Sequence, residues 1–181
     1  MALTPSNMID LGSPAAPFDL LDPRTGQHIN LNNLNPERGL LIMFICNHCP
    51  FVKHIEHALT QLGKDYTNSG IQIIAISSND AVAHPDDGPQ QMAKKNYPFP
   101  YLYDETQDAA KAYDAACTPD FFLYDQQLKL TYRGQFDSAR PGSDQPVTGE
   151  DLRAAMDRLL AGQPPLAEQK PSIGCNIKWR N

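Results

Sequence analysis

Leu40-Leu41-Ile42-Met43-Phe44-Ile45-Cys46-Asn47-His48-Cys49-Pro50 is the stretch that decides the fold. From Leu40 to Ile45 every residue is apolar and nothing alternates, as suits a strand covered on both faces in a parallel sheet. Beyond Pro50, residues Val52, Ile55, Leu59 and Leu62 recur at helical spacing, with Lys53, Glu56, His57, Gln61 and Lys64 between them. A helix with one wet face therefore follows, ending near Asn68-Ser69-Gly70, and Pro50 fits its first turn, where a missing N–H costs little. A Cys-x-x-Cys pair is thus delivered by a buried strand into a helix N-terminus, whose positive end favours the thiolate of the first cysteine. A thiolate is the species that attacks a disulfide.

Outward from that junction, Ile71 to Ile76 is a second buried strand, and strand, helix and strand make a right-handed βαβ unit. Upstream, Pro17 to Asp22 and Gln27 to Leu31 flank the turn Pro23-Arg24-Thr25-Gly26 and predict an edge hairpin. Downstream of a polar connector, a short helix is expected around Gln91 to Lys95, and the prolines keep Tyr97 to Tyr101 extended. Asp104 to Tyr113 predicts a helix capped by Asp104, and Phe121 to Tyr124 with Leu128 to Tyr132 an antiparallel hairpin. Thr148 to Leu160 predicts a closing helix capped by Thr148. The expected architecture is α/β: a central mixed sheet flanked by helices, with an N-terminal β-hairpin and a C-terminal tail. The expected organisation is a single domain over residues 1–181. Within it 162–181 is a docked tail, because Ile173, Ile177 and Trp179 would not be left in water without cost.

With 181 residues the chain can bury one substantial core without staples. A net charge of −6 and the lack of any Lys/Arg cluster leave no footprint for nucleic acid or an anionic membrane. Met1 to Asp10 has neither a basic nor an apolar leader region, and no stretch reaches bilayer length, so the expected location is cytoplasmic. Thiols are held reduced there, so the four cysteines read as catalytic, redox-sensing or metal-binding rather than as cross-links.

Cys46-Asn47-His48-Cys49 on a strand-to-helix junction, with Thr118-Pro119 ahead of the strand Phe121 to Tyr124, resembles the thioredoxin fold. Ala16-Pro17-Phe18-Asp19-Leu20 and the long connectors resemble its redoxin branch. More narrowly, the segments Cys46 to Lys53, Ala116 to Phe122 and Ser172 to Trp179 are similar to a peroxiredoxin-like, AhpC/TSA-related redoxin family over nearly the whole chain. The resemblance implies a thioredoxin-like fold and thiol–disulfide exchange, with a protein or small-molecule disulfide as substrate and a thiol as electron donor. It implies no bound cofactor. It also implies a cis Thr118-Pro119 bond against the cysteines, with Thr118 and Pro119 binding an extended substrate as a short strand partner. Pro50 directly after the second cysteine, and Phe44-Ile45 in place of a tryptophan before the first, depart from ordinary thioredoxin.

Ligands of such sheets bind beyond the strands' carboxyl ends, which predicts an accessible Cys46 and a shielded Cys49 one turn into the helix. Cys46 is then the catalytic nucleophile and Cys49 resolves the mixed disulfide. His48 either stabilises the Cys46 thiolate as an imidazolium, tuning its pKa, or faces solvent as a neutral ring, and Asn47 offers nothing comparable. Cys117 reads as a buried filler or as an accessory thiol near Cys46, and Cys175 as a structural tail residue or a second resolving thiol. His54 and His57 read as a solvated helix face; His84, Asp86 and Asp87 read as a polar loop. No metal site is expected, because no second close-spaced Cys or His pair completes four ligands. Two other functions compete. A thiol peroxidase would carry Pro-x-x-x-Thr-x-x-Cys, and this chain has Ile42 and Cys46 at the Pro and Thr positions when aligned on Cys49, or Gly39 and Met43 when aligned on Cys46. A non-enzymatic redox sensor or carrier of copper(I) or zinc would use the soft thiolates of Cys46, Cys49 and Cys117.

Overall fold

A computed structural model describes residues 3–180; Met1, Ala2 and Asn181, the ends of the expected domain, lie outside the described residues. The strands are β1 (Leu3–Pro5), β2 (Asp19–Asp22), β3 (Gln27–Asn30), β4 (Gly39–Phe44), β5 (Ile71–Ser77), β6 (Tyr101–Tyr103), β7 (Cys117–Thr118), β8 (Asp120–Asp125), β9 (Leu130–Gly134) and β10 (Ile173–Asn176). The helices are α1 (Pro50–Asp65), α2 (Pro89–Met92), α3 (Asp108–Ala112) and α4 (Glu150–Leu160). The larger sheet has the order β3-β2-β6-β5-β4-β8-β9, and the smaller one the order β1-β10-β7. This is the expected thioredoxin-like mixed sheet, with its N-terminal hairpin on one edge.

The unbroken apolar run is explained by what lies on each face. β4 is central, parallel to β5 and antiparallel to β8. Leu41, Met43 and Ile45 join a core with Val52, Ile55, Leu59 and Leu62 of α1 and Leu152 and Met156 of α4. Leu40, Ile42 and Phe44 face a second core with Ala109, Ala110 and Tyr113. Cutting a fully buried Leu41 back to alanine is expected to cost about 2–5 kcal/mol. Gly63 lets α1 approach the sheet layer, since a Cβ there would stand 2.8 Å from the Phe99 ring.

Three expectations move. Tyr101 alone of the proline-bounded segment enters a strand, and β6 extends the parallel run beside β5 instead of ending as a connector. The helix expected from Asp104 is shorter, Asp108–Ala112, because Gln107 precedes it in a left-handed conformation (φ 66°). Asp104 still serves that helix from a distance, its buried carboxylate accepting the N–H groups of Ala109 and Ala110 at 3.3 and 3.0 Å. At α4 the N-cap is Gly149 (φ 70°), not Thr148; Asp137 Oδ2 accepts the N–H groups of Thr148 and Gly149 at 2.8 and 2.6 Å. Among the described residues no helix is long and apolar enough to cross a membrane.

Candidate active site

β4 and β5 end together, and Ile45 N–H donates to the Ile76 carbonyl at 3.0 Å before the chain turns away. The helix begins only at Pro50, so Cys49 is its N-cap, and the Cys49 carbonyl accepts from Lys53 N–H at 3.0 Å. The positive helix end therefore falls on Cys49, not on Cys46 as the sequence suggested, and Cys49 is not a turn inside the helix. The cause is a competing partner for the preceding N–H groups: Asp87 Oδ1 accepts from Asn47 N at 2.7 Å and from His48 N at 3.0 Å, winding residues 46–48 around a carboxylate.

Neither thiol is open to solvent. Cys46 is 1% exposed and Cys49 0%, which corrects the expectation of an accessible first sulfur. The Thr118 hydroxyl lies 3.5 Å from Cys46 Sγ, and His48 Nδ1 lies 4.0 Å away. The His48 side chain is 21% exposed and is the partly open group beside Cys46. Its Nδ1 is also bonded to Asp87 Oδ2, which accepts from Asn79 Nδ2 at 2.8 Å. His84 stacks on His48, rings 5.0 Å apart and 7° from parallel. Asn47, given no role from sequence, is buried with its Nδ2 on the Asp86 carbonyl and its Oδ1 accepting from Tyr101 at 3.1 Å.

Asp87, Asn79 and His84 are thus site residues that the sequence reading left in a polar loop. Asp87 is fully buried, on a short 3-10 turn spanning Pro85–Asp87, and its lone pairs are spent on two backbone and two side-chain donors. On α1, His57 is exposed as expected, whereas His54, expected on the same wet face, is half-buried with its Nε2 shielded from solvent.

On the other side of the pair, Cys49 Sγ lies 3.3 Å from the Thr118 carbonyl and 2.9 Å from Cys175 Sγ. The Thr118-Pro119 bond is cis, as the family resemblance implied. Cys117 is buried on β7, and its thiol donates to the Pro119 carbonyl at 3.6 Å. All four cysteines are thiols.

The two thiols Cys46 and Cys49 share a proton. A hydrogen bond from Cys46 holds the Cys49 thiol well below its ordinary value, helped by Cys175 and the Val52 N–H at the helix start. The Thr118 carbonyl works the other way, since it accepts only from a protonated Cys49. Burial also opposes the shift, and the donors outweigh both, so Cys49 is the more acidic thiol of the pair. Cys46 is pushed up by the same hydrogen bond, then by burial and the Asp87 carboxylate. Burial, followed by the Cys49 contact, pushes Cys175 up.

Donor atoms of Cys46, His48 and Asp87 lie within 4.8 Å of one another, a spacing that a cation could bridge. A cation there would have to displace the Asp87–His48 hydrogen bond, and the donors of Asn79 and the backbone already hold the carboxylate.

A mixed sheet that places a dithiol where a central strand meets a helix, beside a cis-proline, defines a thioredoxin-like redox protein. The AhpC/TSA family profile matches residues 11–133, and the chain belongs to that family. An uncharacterized conserved protein of Geobacillus kaustophilus is 53% identical and shares its structure with a TM-score of 0.97, over 99% of this chain and 97% of that one. A hypothetical protein of Sinorhizobium meliloti is 49% identical, with a TM-score of 0.95 over 98% of each chain. The thioredoxin domain of a thiol-disulfide oxidoreductase from Bacteroides vulgatus shares the fold at 15% identity and a TM-score of 0.57, over 81% of this chain and 97% of that one. No curated protein matches the chain.

Proposed function

We propose that this protein is a thiol–disulfide oxidoreductase, acting as one unit in a reducing cytoplasm, with Cys46 and Cys49 as its redox pair. The observation that carries this reading is the placement of two thiols where β4 leads into the start of α1, with Cys49 as the N-cap and the cis Thr118-Pro119 bond beside it. Cys46 is the attacking sulfur, because it lies beside the partly open His48, whereas Cys49 is enclosed by Cys175, Thr118 and the helix. Transfer of the proton from Cys46 to Cys49 makes a Cys46 thiolate. That thiolate attacks one sulfur of a disulfide R–S–S–R′, forming Cys46–S–S–R and releasing R′–S⁻, which takes up a proton. Cys49 then gives up its proton and attacks Cys46 Sγ, releasing the second thiolate and closing Cys46–Cys49. The substrate gains two electrons and the dithiol loses them; a thiol donor restores it. His48, held by Asp87, positions the ring beside the reacting sulfur.

Cys46→Ser is expected to abolish reduction of a small disulfide reporter, while Cys49→Ser traps a Cys46 mixed disulfide visible by intact mass. Wild-type turnover in Cys46→Ser would falsify the assignment. A second reading has one observation in its favour: the resting thiolate on Cys49 is buried at 0% exposure, where a peroxide fits more readily than a peptide. As a thiol peroxidase, Cys49 would attack a peroxide oxygen, becoming a sulfenic acid with loss of water or alcohol. Stopped-flow comparison decides: hydrogen peroxide consumed by the reduced protein faster than the disulfide reporter would favour this second chemistry.

A further inference from the structure

The edge of β7 is already taken. β10 pairs with it antiparallel, Cys175 opposite Thr118 and Asn176 opposite Cys117. Ser172 Oγ donates to the Pro119 carbonyl at 2.6 Å, and Ile177 N–H to the Ala116 carbonyl at 3.2 Å, so the segment is held at both ends. Gly174 lies so close that a Cβ there would stand 2.0 Å from the Thr118 carbonyl oxygen. An extended peptide added to a sheet edge, with close backbone contact and alternate side chains in pockets, is held in the same manner. Thr118, expected to receive a substrate, therefore carries residues of this chain. Those residues bring a sulfur: Cys175 Sγ is 2.9 Å from Cys49 Sγ, and both are buried. The segment lies beyond the stretch matched by the family profile, residues 11–133.

We propose that Cys175 is a third redox thiol, and Ile173–Asn176 an internal substrate that takes the disulfide from Cys46–Cys49 to form Cys49–Cys175. The proposal rests on the dithiol reading above. In the oxidised protein the Cys175 thiol gives up its proton and its sulfur attacks Cys49 Sγ. The Cys49–Cys175 bond forms, the Cys46–Cys49 bond breaks, and Cys46 leaves as a thiolate that takes up the proton. Nothing is oxidised or reduced in this exchange; the two electrons left earlier, to the substrate disulfide. Attack on Cys49 is geometrically favoured because the two sulfurs already touch, so the exchange needs no rearrangement of β10. The consequence is a covalent clamp: β10 is locked onto the Thr118 edge, and Cys46 is returned to the thiol form. No extended disulfide-bearing peptide adds to that edge until a thiol donor reduces Cys49–Cys175. Cys117 takes no part, since its thiol is engaged with the Pro119 carbonyl.

The test uses the full chain, reduced and then oxidised with excess hydroxyethyl disulfide, alkylated, digested with trypsin and mapped by mass. Cys46 and Cys49 share one tryptic peptide and Cys175 lies on another, so the two disulfides separate cleanly. The expected result is a cross-link between these peptides in at least about a tenth of the oxidised wild-type protein, and its loss in Cys46→Ser, which cannot form the disulfide that Cys175 attacks. Cys175→Ala is expected to keep only the Cys46–Cys49 disulfide. Absence of the cross-link from wild type, with Cys46–Cys49 still formed, overturns the proposal and leaves the dithiol reading standing. Failure of a folded Cys175→Ala protein to form Cys46–Cys49 overturns both.

Discussion

On one flank of Cys46–Cys49 a buried carboxylate, a histidine and two asparagines are tied by directed hydrogen bonds, with a second histidine stacked on the first; on the other, the neighbours are a backbone carbonyl, a hydroxyl and a third sulfur. The hydrogen bond between the two thiols is the largest influence on both; beyond it and burial, Asp87 on the polar flank raises the proton affinity of Cys46, and Cys175 on the strand flank lowers that of Cys49. What each one faces thus adds to the asymmetry that their own hydrogen bond sets. Asn79 joins the flanks: its Nδ2 donates to Asp87, and its Oδ1 accepts Lys178 N–H just past β10 at 2.8 Å.

The most disruptive way to break the contrast is on the polar flank. Asp87→Asn keeps the shape but turns one acceptor into a donor facing Asn79 or the 47–48 backbone, leaving buried donors opposed. A loss of about 3 kcal/mol is expected in urea unfolding at neutral pH. An unchanged midpoint would mean that the carboxylate does not organise the loop. Next comes the strand flank. Gly174→Ala forces a methyl into the Thr118 carbonyl, and relief requires β10 to lift. The expected cost is about 1–3 kcal/mol, with faster amide exchange confined to residues 173–177; uniform acceleration over the whole chain would argue against a locally docked strand.

A smaller effect follows from the shared proton. The pair releases its first proton easily and its second with difficulty, compared with two ordinary thiols at 9.0. Below 9.0 the unfolded chain holds a proton that the folded pair has lost through Cys49, so stability rises with pH and is lost as pH falls through the folded value. Above 9.0 the folded pair keeps a proton on Cys46 that the unfolded chain releases, so stability falls. Each slope is bounded by about 1.4 kcal/mol per pH unit. Relative to a Cys46→Ala/Cys49→Ala double variant, the wild-type curve should therefore peak near the ordinary thiol value. Two parallel curves would show that the proton is not shared.

The junction was legible because its signals are local: six apolar residues in a row, a proline at a helix start and a two-residue cysteine spacing each constrain their own neighbourhood. The sheet and its hairpins followed from the same kind of pattern. Asp87 was not legible, since its partners Asn47, His48 and Asn79 come from two other loops and no periodicity links a carboxylate to N–H groups 39 and 40 positions away. The start of α1 was misjudged for the same reason: nothing within Cys46 to Pro50 shows that a distant carboxylate claims the N–H groups that would have begun the helix three residues earlier. Of the three tail residues expected to be covered, Ile177 is buried and Ile173 half-buried, but Trp179 stays 43% exposed; the register that sets Cys175 against Thr118 is a long-range pairing.

The finest test of the comparison lies within the strand flank, between two cysteines on paired strands. Cys117 and Cys175 are both buried, on neighbouring strands, and differ in what the sulfur faces: a carbonyl for Cys117, another sulfur for Cys175. Burial, then the Asp120 carboxylate, pushes the Cys117 thiol up, so it stays protonated and unreactive across the working range. Cys117→Ala removes a small apolar filler and one weak hydrogen bond, with an expected cost of about 1 kcal/mol. Reporter turnover should stay within about twofold of wild type, because no step depends on that sulfur. A tenfold fall in turnover without unfolding would place Cys117 in the redox cycle and would remove burial against a carbonyl as the criterion separating silent thiols from working ones.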